Sequence, residues 1–140
     1  MSEDFTDTAS LPGVVPYLTI TDGRGAQAVE FYGRAFGAQE VMRMPADDGK
    51  RLVHARLVIN KAVVMLSDDF AQGANPMGTA APTGVTIHLQ VDDADAWFSR
   101  ALAAGATVRM PIGDQFWGDR YGQLTDPFGH AWSIGAPLKK

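Results

Sequence analysis

The sequence predicts an α+β fold made of two βαβββ modules in tandem, and three observations lead there. At 140 residues with 46% hydrophobic and 20% charged side chains, the chain has the size and composition of an ordinary globular domain. Short runs of branched and aromatic residues are interrupted by two stretches with helical spacing. The order of those elements then repeats after a Gly/Pro-rich stretch at 71–84 (AQGANPMGTAAPTG), which reads as a linker.

Composition already removes several classes of function. Lys and Arg number 12 against 16 Asp and Glu, a net charge of -4. No basic run is present to neutralise phosphates, so nucleic acid is not an expected partner. The chain has no cysteine, which excludes disulfide scaffolds, thiolate metal sites and cysteine nucleophiles together. No apolar stretch approaches the roughly 18 residues of a membrane span, and the opening MSEDFTDTAS lacks a secretory pattern. A soluble, cytoplasmic domain without membrane contact is expected.

Residues 1–12 are polar and read as a flexible N-terminal arm. The first module spans 13–70. Its opening run 14–21 (VVPYLTIT) reads as a strand, with Pro16 marking an edge or an end. Asp22, Gly23, Arg24 and Gly25 supply turn chemistry. Residues 26–36 (AQAVEFYGRAF) place Val29, Tyr32 and Phe36 on one helical face, and Gly37 is a C-cap. A short strand at 40–44, a turn at 46–49 and strands at 51–59 and 62–67 follow. Asn60 and Lys61 form the tight turn of the last hairpin.

The second module spans 85–137. Residues 85–91 (VTIHLQV) read as a strand closed by Asp92 and Asp93. A helix at 94–104 carries Trp97, Ala101 and Ala104 on one stripe and ends at Gly105. A short strand at 107–111 precedes a hairpin of 123–125 with 131–135 across Asp126, Pro127, Phe128 and Gly129. Asp22 and Asp92 each end an opening strand, and Phe31-Tyr32 matches Trp97-Phe98. The pattern reads as an internal duplication, each copy too small to bury its own sheet.

Strand alternation assigns two faces. Leu18, Ile20, Val53, Ala55, Leu57, Ile59, Val64 and Leu66 take the helix side in the first module. In the second module Val85, Ile87, Leu89, Val91, Leu124, Trp132 and Ile134 do so. The opposite face then carries Tyr17, Thr19, Leu52, His54, Arg56, Val58, Val63, Met65 and Ser67. From the second module it carries Thr86, His88, Gln90, Tyr121, Gln123, Thr125 and Ser133. A solvated face would carry scattered carboxylates. This one has a single Arg and none, so it reads equally as a surface or as a polar pocket.

The arrangement resembles the vicinal oxygen chelate superfamily of glyoxalases, extradiol dioxygenases, fosfomycin-resistance enzymes and bleomycin-binding proteins. The resemblance covers about 13–137. It is carried by VPYLTITDGRGAQAVEFYGRAFGA at the front and QFWGDRYGQLTDPFGHAWSIG at the back, the latter like the PhnB branch. It implies that the two modules form an eight-stranded curved cup, that the chain is a homodimer, and that the polar face is a ligand pocket. Metal-dependent relatives take His, Glu or Gln ligands from the first strand and a later strand of each unit. Carried over, those positions are Tyr17, Met65, Thr86 and Ser133, none of which suits Zn, Ni, Mn or Fe. His54 and His88 supply two imidazoles without a carboxylate, so no metal and no cofactor is expected.

His130 belongs to the turn at 126–130 and has a structural role there. No GxSxG elbow or GxGxxG loop occurs. The stretch 114–121 places Phe116, Trp117 and Tyr121 within six residues, on a loop able to stack on a flat ligand or to pack on a partner. Arg120 there meets an anionic ligand or pairs with Asp114 or Asp119. The resulting expectation is a small-molecule binding protein that sequesters a flat or amphipathic organic ligand without chemistry. Its ligand contacts would be Tyr17, Thr19, His54, Arg56, Met65, Ser67, Thr86, His88, Gln90, Phe116, Trp117, Arg120, Tyr121 and Ser133. Two alternatives are enzymes of the same superfamily. One is a metal-dependent lyase, isomerase or dioxygenase recruiting Glu40; the other is a metal-free acid/base enzyme using His54 or His88.

Overall fold

The computed structural model describes residues 11, 13–70 and 82–138. The predicted arm and linker, 1–12 and 71–84, fall outside the described residues except at 11 and 82–84. The elements run β1 (Tyr17–Ile20), α1 (Gly25–Phe36), β2 (Gln39–Pro45), β3 (Leu52–Ile59) and β4 (Ala62–Asp68). They continue as β5 (Thr86–Gln90), α2 (Ala94–Ala104), β6 (Thr107–Asp114), β7 (Asp119–Thr125) and β8 (Ala131–Pro137). This is an α+β fold of two βαβββ units, as the sequence predicts. Contacts divide the chain into 1–33 with 37–80, and 81–140 with 34–36.

Each unit holds one mixed four-stranded sheet, in the orders β1-β4-β3-β2 and β5-β8-β7-β6. The first strand of each order is parallel to the second, and the remaining pairs are antiparallel. A parallel neighbour requires a crossover, which the helix in each unit supplies.

The N-terminus of α1 has no capping side chain on Arg24. The buried Asp68 at the end of β4 takes that part, its Oδ1 accepting from the Gly25 N–H at 2.7 Å and its Oδ2 from the Leu52 N–H at 2.6 Å. Gly25 has to be glycine here, since a Cβ would lie 2.5 Å from the Asp68 carboxylate. The helix ends on Gly37 at φ 68, in the left-handed region. In contrast, α2 is capped locally: the Asp93 side chain accepts from the Ala96 N–H. Its buried stripe is Ala94, Phe98 and Ala101. Trp97, predicted to be core, is only half-buried, because the helix is rotated to seat Phe98 over Gly122, where an added Cβ would come 2.8 Å from the Phe98 ring.

Alternation mis-assigns three valines. Val53 is 46% exposed while Leu52 is buried, because the β2–β3 register shifts between Met44 and Pro45 and pairs Pro45 with Leu52. Val85 precedes β5 and is 73% exposed. Val63, expected on the open face, is buried. The predicted loop at 114–121 is a hairpin, since β6 runs on to Asp114 and β7 starts at Asp119. Its tip is closed by bonds from Gln115 N to Asp119 O and from Gly118 N to Gln115 O.

The buried Asp126 organises the β7–β8 turn. Its Oδ1 accepts from the Phe128 and His130 amides and its Oδ2 from the Trp132 indole N–H at 2.8 Å. His130 is therefore part of the turn.

Candidate ligand-binding site

The ladder register lays out the polar face of each unit. In the first, Tyr17 pairs with Met65, Met65 with Arg56 and Arg56 with Met42. Thr19 pairs with Ser67 and His54 with Met44. The Tyr17 hydroxyl lies 2.9 Å from His54 Nδ1, with the rings 5.6 Å apart. His54 Nε2 is buried and bonds to nothing among the described residues. Burial, helped by the neighbouring Arg56 charge, pushes the His54 pKa down. Arg56 itself is 3% exposed. Arg56 is thus covered while Tyr17 and Met44 stay about half exposed, and sequence reasoning missed the methionines of this face, Met42 and Met44, because β2 carries no clear alternation.

In the second unit the rows are Thr86–Ala131–Thr125, His88–Ser133–Gln123 and Gln90–Gly135–Tyr121. Thr86, His88 and Gln90 are exposed. Gln90 Oε1 accepts from His88 Nε2–H at 2.8 Å, which leaves Nδ1 to accept from the Ser133 hydroxyl at 2.7 Å. The imidazole stacks on Tyr121, centroids 5.9 Å apart and planes 22° from parallel. Trp117 meets Tyr121 edge-on at 5.4 Å, and Gln123 donates to the Tyr121 hydroxyl. Gly135 leaves the space for this, because a Cβ there would stand 3.0 Å from His88 Cε1.

The sequence-predicted contacts thus separate into two groups. Tyr17, Thr19, His54, Arg56, Met65 and Ser67 share the first face. Thr86, His88, Gln90, Tyr121 and Ser133 share the second, with Trp117 at its end. Phe116 stands at the hairpin tip, 97% exposed, edge-on to Trp117.

Arg120 does not join that face. It alternates with Tyr121 and reaches α2, where Asp95 accepts from its Nε and Nη2, while Asp114 accepts from Nη1. Those two carboxylates raise its pKa further. Asp119 instead accepts from the Trp117 indole. Glu40 pairs with Arg43 and sits opposite Leu57, off the row of Arg56 and His54.

Among the described residues no three of His, Asp and Glu gather as they would around a metal ion. Both His88 nitrogens are engaged, and His54 offers one bonded and one buried nitrogen.

Two βαβββ units, each opened by a parallel strand pair and each presenting one polar sheet face, define a paired-module class of α+β proteins. The Glyoxalase/Bleomycin resistance protein/Dioxygenase superfamily model matches residues 14–134, and the chain belongs to that superfamily. It is 50% identical over 133 residues to the Uncharacterized protein Mb0911c of Mycobacterium bovis, covering 92% of this chain and 86% of that one. The crystal structure of protein PA1353 from Pseudomonas aeruginosa matches with a TM-score of 0.73 at 32% identity, over 90% of this chain and 98% of that one. A PhnB protein from Bacillus cereus shares the fold, with a TM-score of 0.71 at 20% identity over 89% and 99% of the two chains. Among the described residues no helix is long and apolar enough to cross a membrane.

Proposed function

We propose that the protein is a homodimeric, metal-free small-molecule binder that sequesters a flat or amphipathic organic ligand against the polar face of its second unit. The observation that carries this reading is the aromatic column of His88, Tyr121 and Trp117, flanked by Gln90 and Gln123. Exposed rings with amide neighbours offer stacking area and directional hydrogen bonds at small entropic cost. The network also disfavours acid/base chemistry by His88, whose two nitrogens are both satisfied, and by His54, whose remaining nitrogen is buried.

The test is a titration of the intact protein with planar aromatic compounds, antibiotics among them, followed by tryptophan fluorescence and thermal shift. Binding that Trp117→Ala weakens supports the reading. A near-stoichiometric divalent ion on protein purified without tag or chelator, or a metal requirement for binding, overturns the metal-free part. A monomeric mass in solution overturns the dimer.

A further inference from the structure

Next to the His88 row on the same sheet lies a hollow of about 520 Å³, bordered by Thr83, Thr86, Arg109, Thr125, Gly129 and Ala131 among others, with no carboxylate in its lining among the described residues. Thr86, Ala131 and Thr125 form the row beside His88, Ser133 and Gln123, so hollow and aromatic column share one face. Of these residues only Thr86 stood out from sequence as a ligand contact.

Arg109 reaches this hollow through a defect in the ladder. Val108 pairs with Leu124 and Met110 with Gln123, which leaves Arg109 as the extra residue between two consecutive partners. Such a bulge takes a residue out of the ladder and re-aims its side chain. The same irregularity recurs in β2, between Glu40 and Met42, where the extra residue is Val41. The duplicated backbone thus carries an apolar side chain at this point in one unit and a guanidinium in the other.

That guanidinium has no hydrogen-bond or ion-pair partner among the described residues, and neither do the side-chain hydroxyls of Thr86 and Thr125. In a chain of net charge -4, an Arg left without a carboxylate in a hollow lined by hydroxyl donors is a site for an anionic group. The planar fork of Arg pairs with carboxylate or phosphate oxygens.

We propose that this hollow receives the acid group of the ligand, so that the ligand class is an aromatic or amphipathic organic acid. The inference rests on the proposed ligand face for its aromatic half only. Thr125 and Tyr121 are four residues apart on β7, about 13 Å at ~3.3 Å per residue, while Thr86 and His88 are about 7 Å apart. The acid group and the stacking ring of the ligand are separated by a distance within that range.

The experiment compares para-phenylbenzoate with its neutral amide, para-phenylbenzamide, on the intact protein. Backbone amide shifts and dissociation constants are read for wild type, Arg109→Gln and Trp117→Ala. The acid is expected to shift residues 83–86, 109 and 125 and to bind about tenfold more tightly than the amide. Arg109→Gln should remove that difference and leave the amide's affinity and the melting temperature unchanged, since Arg109 is exposed. Equal binding of acid and amide to wild type, or no shift at those residues up to tens of millimolar, overturns the proposal. If Trp117→Ala weakens both probes and Arg109→Gln neither, the aromatic face stands and the anion hollow falls. If the acid needs Arg109 but moves neither His88 nor Tyr121, the hollow stands and the aromatic face falls.

Discussion

The two units share strand order and pairing, yet their polar faces have opposite characters. The first face closes over its charge: Arg56 is buried, His54 turns a nitrogen inward, and methionines fill the neighbouring ladder positions. The second opens: Thr86, His88 and Gln90 are exposed, and rings stack at its end. The buried carboxylates differ in the same way. Asp68 ties three elements of the first unit together, whereas Asp126 accepts from two amides of its own turn and from the adjoining Trp132 indole. One backbone plan therefore buries a charge in one copy and leaves an open polar face, the proposed recognition surface, in the other, and the side chains on the pleat decide which.

The largest expected effect tests the scaffold side. Gly25→Ala drives a Cβ to within 2.5 Å of the Asp68 carboxylate, whose two backbone bonds are buried. Losing or straining them should cost about 3 kcal/mol, read as a drop in the urea midpoint with an unchanged slope. On the recognition side, Gly135→Ala meets the His88 ring at 3.0 Å and the Gln90 amide oxygen at 3.4 Å. Both are exposed side chains able to swing away, so the stability loss should be about 1 kcal/mol. The displaced imidazole would leave Ser133 and Tyr121, and ligand binding should suffer more than folding. Equal stability losses from the two alanines would break the distinction between the units.

Much of this plan is legible in the sequence. The duplication, both helices and the Asn60–Lys61 turn follow from spacing and turn chemistry, and period-two alternation places His88, Gln90, Tyr121 and Ser133 on one face. What alternation cannot supply is any place where the ladder slips. The shift at Met44 and Pro45 inverts Leu52 and Val53, and the shift at Val108 and Met110 releases Arg109. A bulge has no compositional signature in these strands, so both were invisible. The carboxylate at 68 was missed for a related reason. Its donors, at Gly25 and Leu52, lie far from it in the chain, and no local motif announces such a partner. At Asp126 the turn was legible, but the bond to the Trp132 indole was not.

A smaller effect concerns the closure of the first face. Burial lowers the His54 pKa, so the folded state holds this imidazole neutral where the unfolded chain would bind a proton. The stabilisation from this group is fully present above the ordinary imidazole value of about 6.5. It is lost as pH falls from there through the lowered folded value. Proton NMR titration should give His54 a midpoint below that ordinary value, and His54→Gln should flatten the fall in stability on acidification. An unshifted His54 midpoint would mean that the first face is as solvated as the second.

The smallest effect lies in the hairpin turns, where the units again part ways. The β3–β4 turn places two non-glycine residues in the left-handed region, Asn60 at φ 49 and Lys61 at φ 71, while the β7–β8 turn uses Gly129 at φ 93. Asn tolerates that region because its short amide bonds locally, but Lys has no such compensation. Lys61→Gly relieves the strain in the folded state and increases the freedom of the unfolded chain, two effects of opposite sign. Strain of about 1 kcal/mol against an entropic cost of about half that predicts a net gain near ~0.5 kcal/mol. The reverse change, Gly129→Ala, should destabilise by about 1 kcal/mol, because its Cβ would also come 3.0 Å from Pro82 Cδ. Opposite signs for these two substitutions, read as shifts in melting temperature, are the expected result. A loss from Lys61→Gly would show that the Lys61 side chain makes a stabilising contribution greater than its backbone strain, and the first unit's turn would then be as tuned as its core.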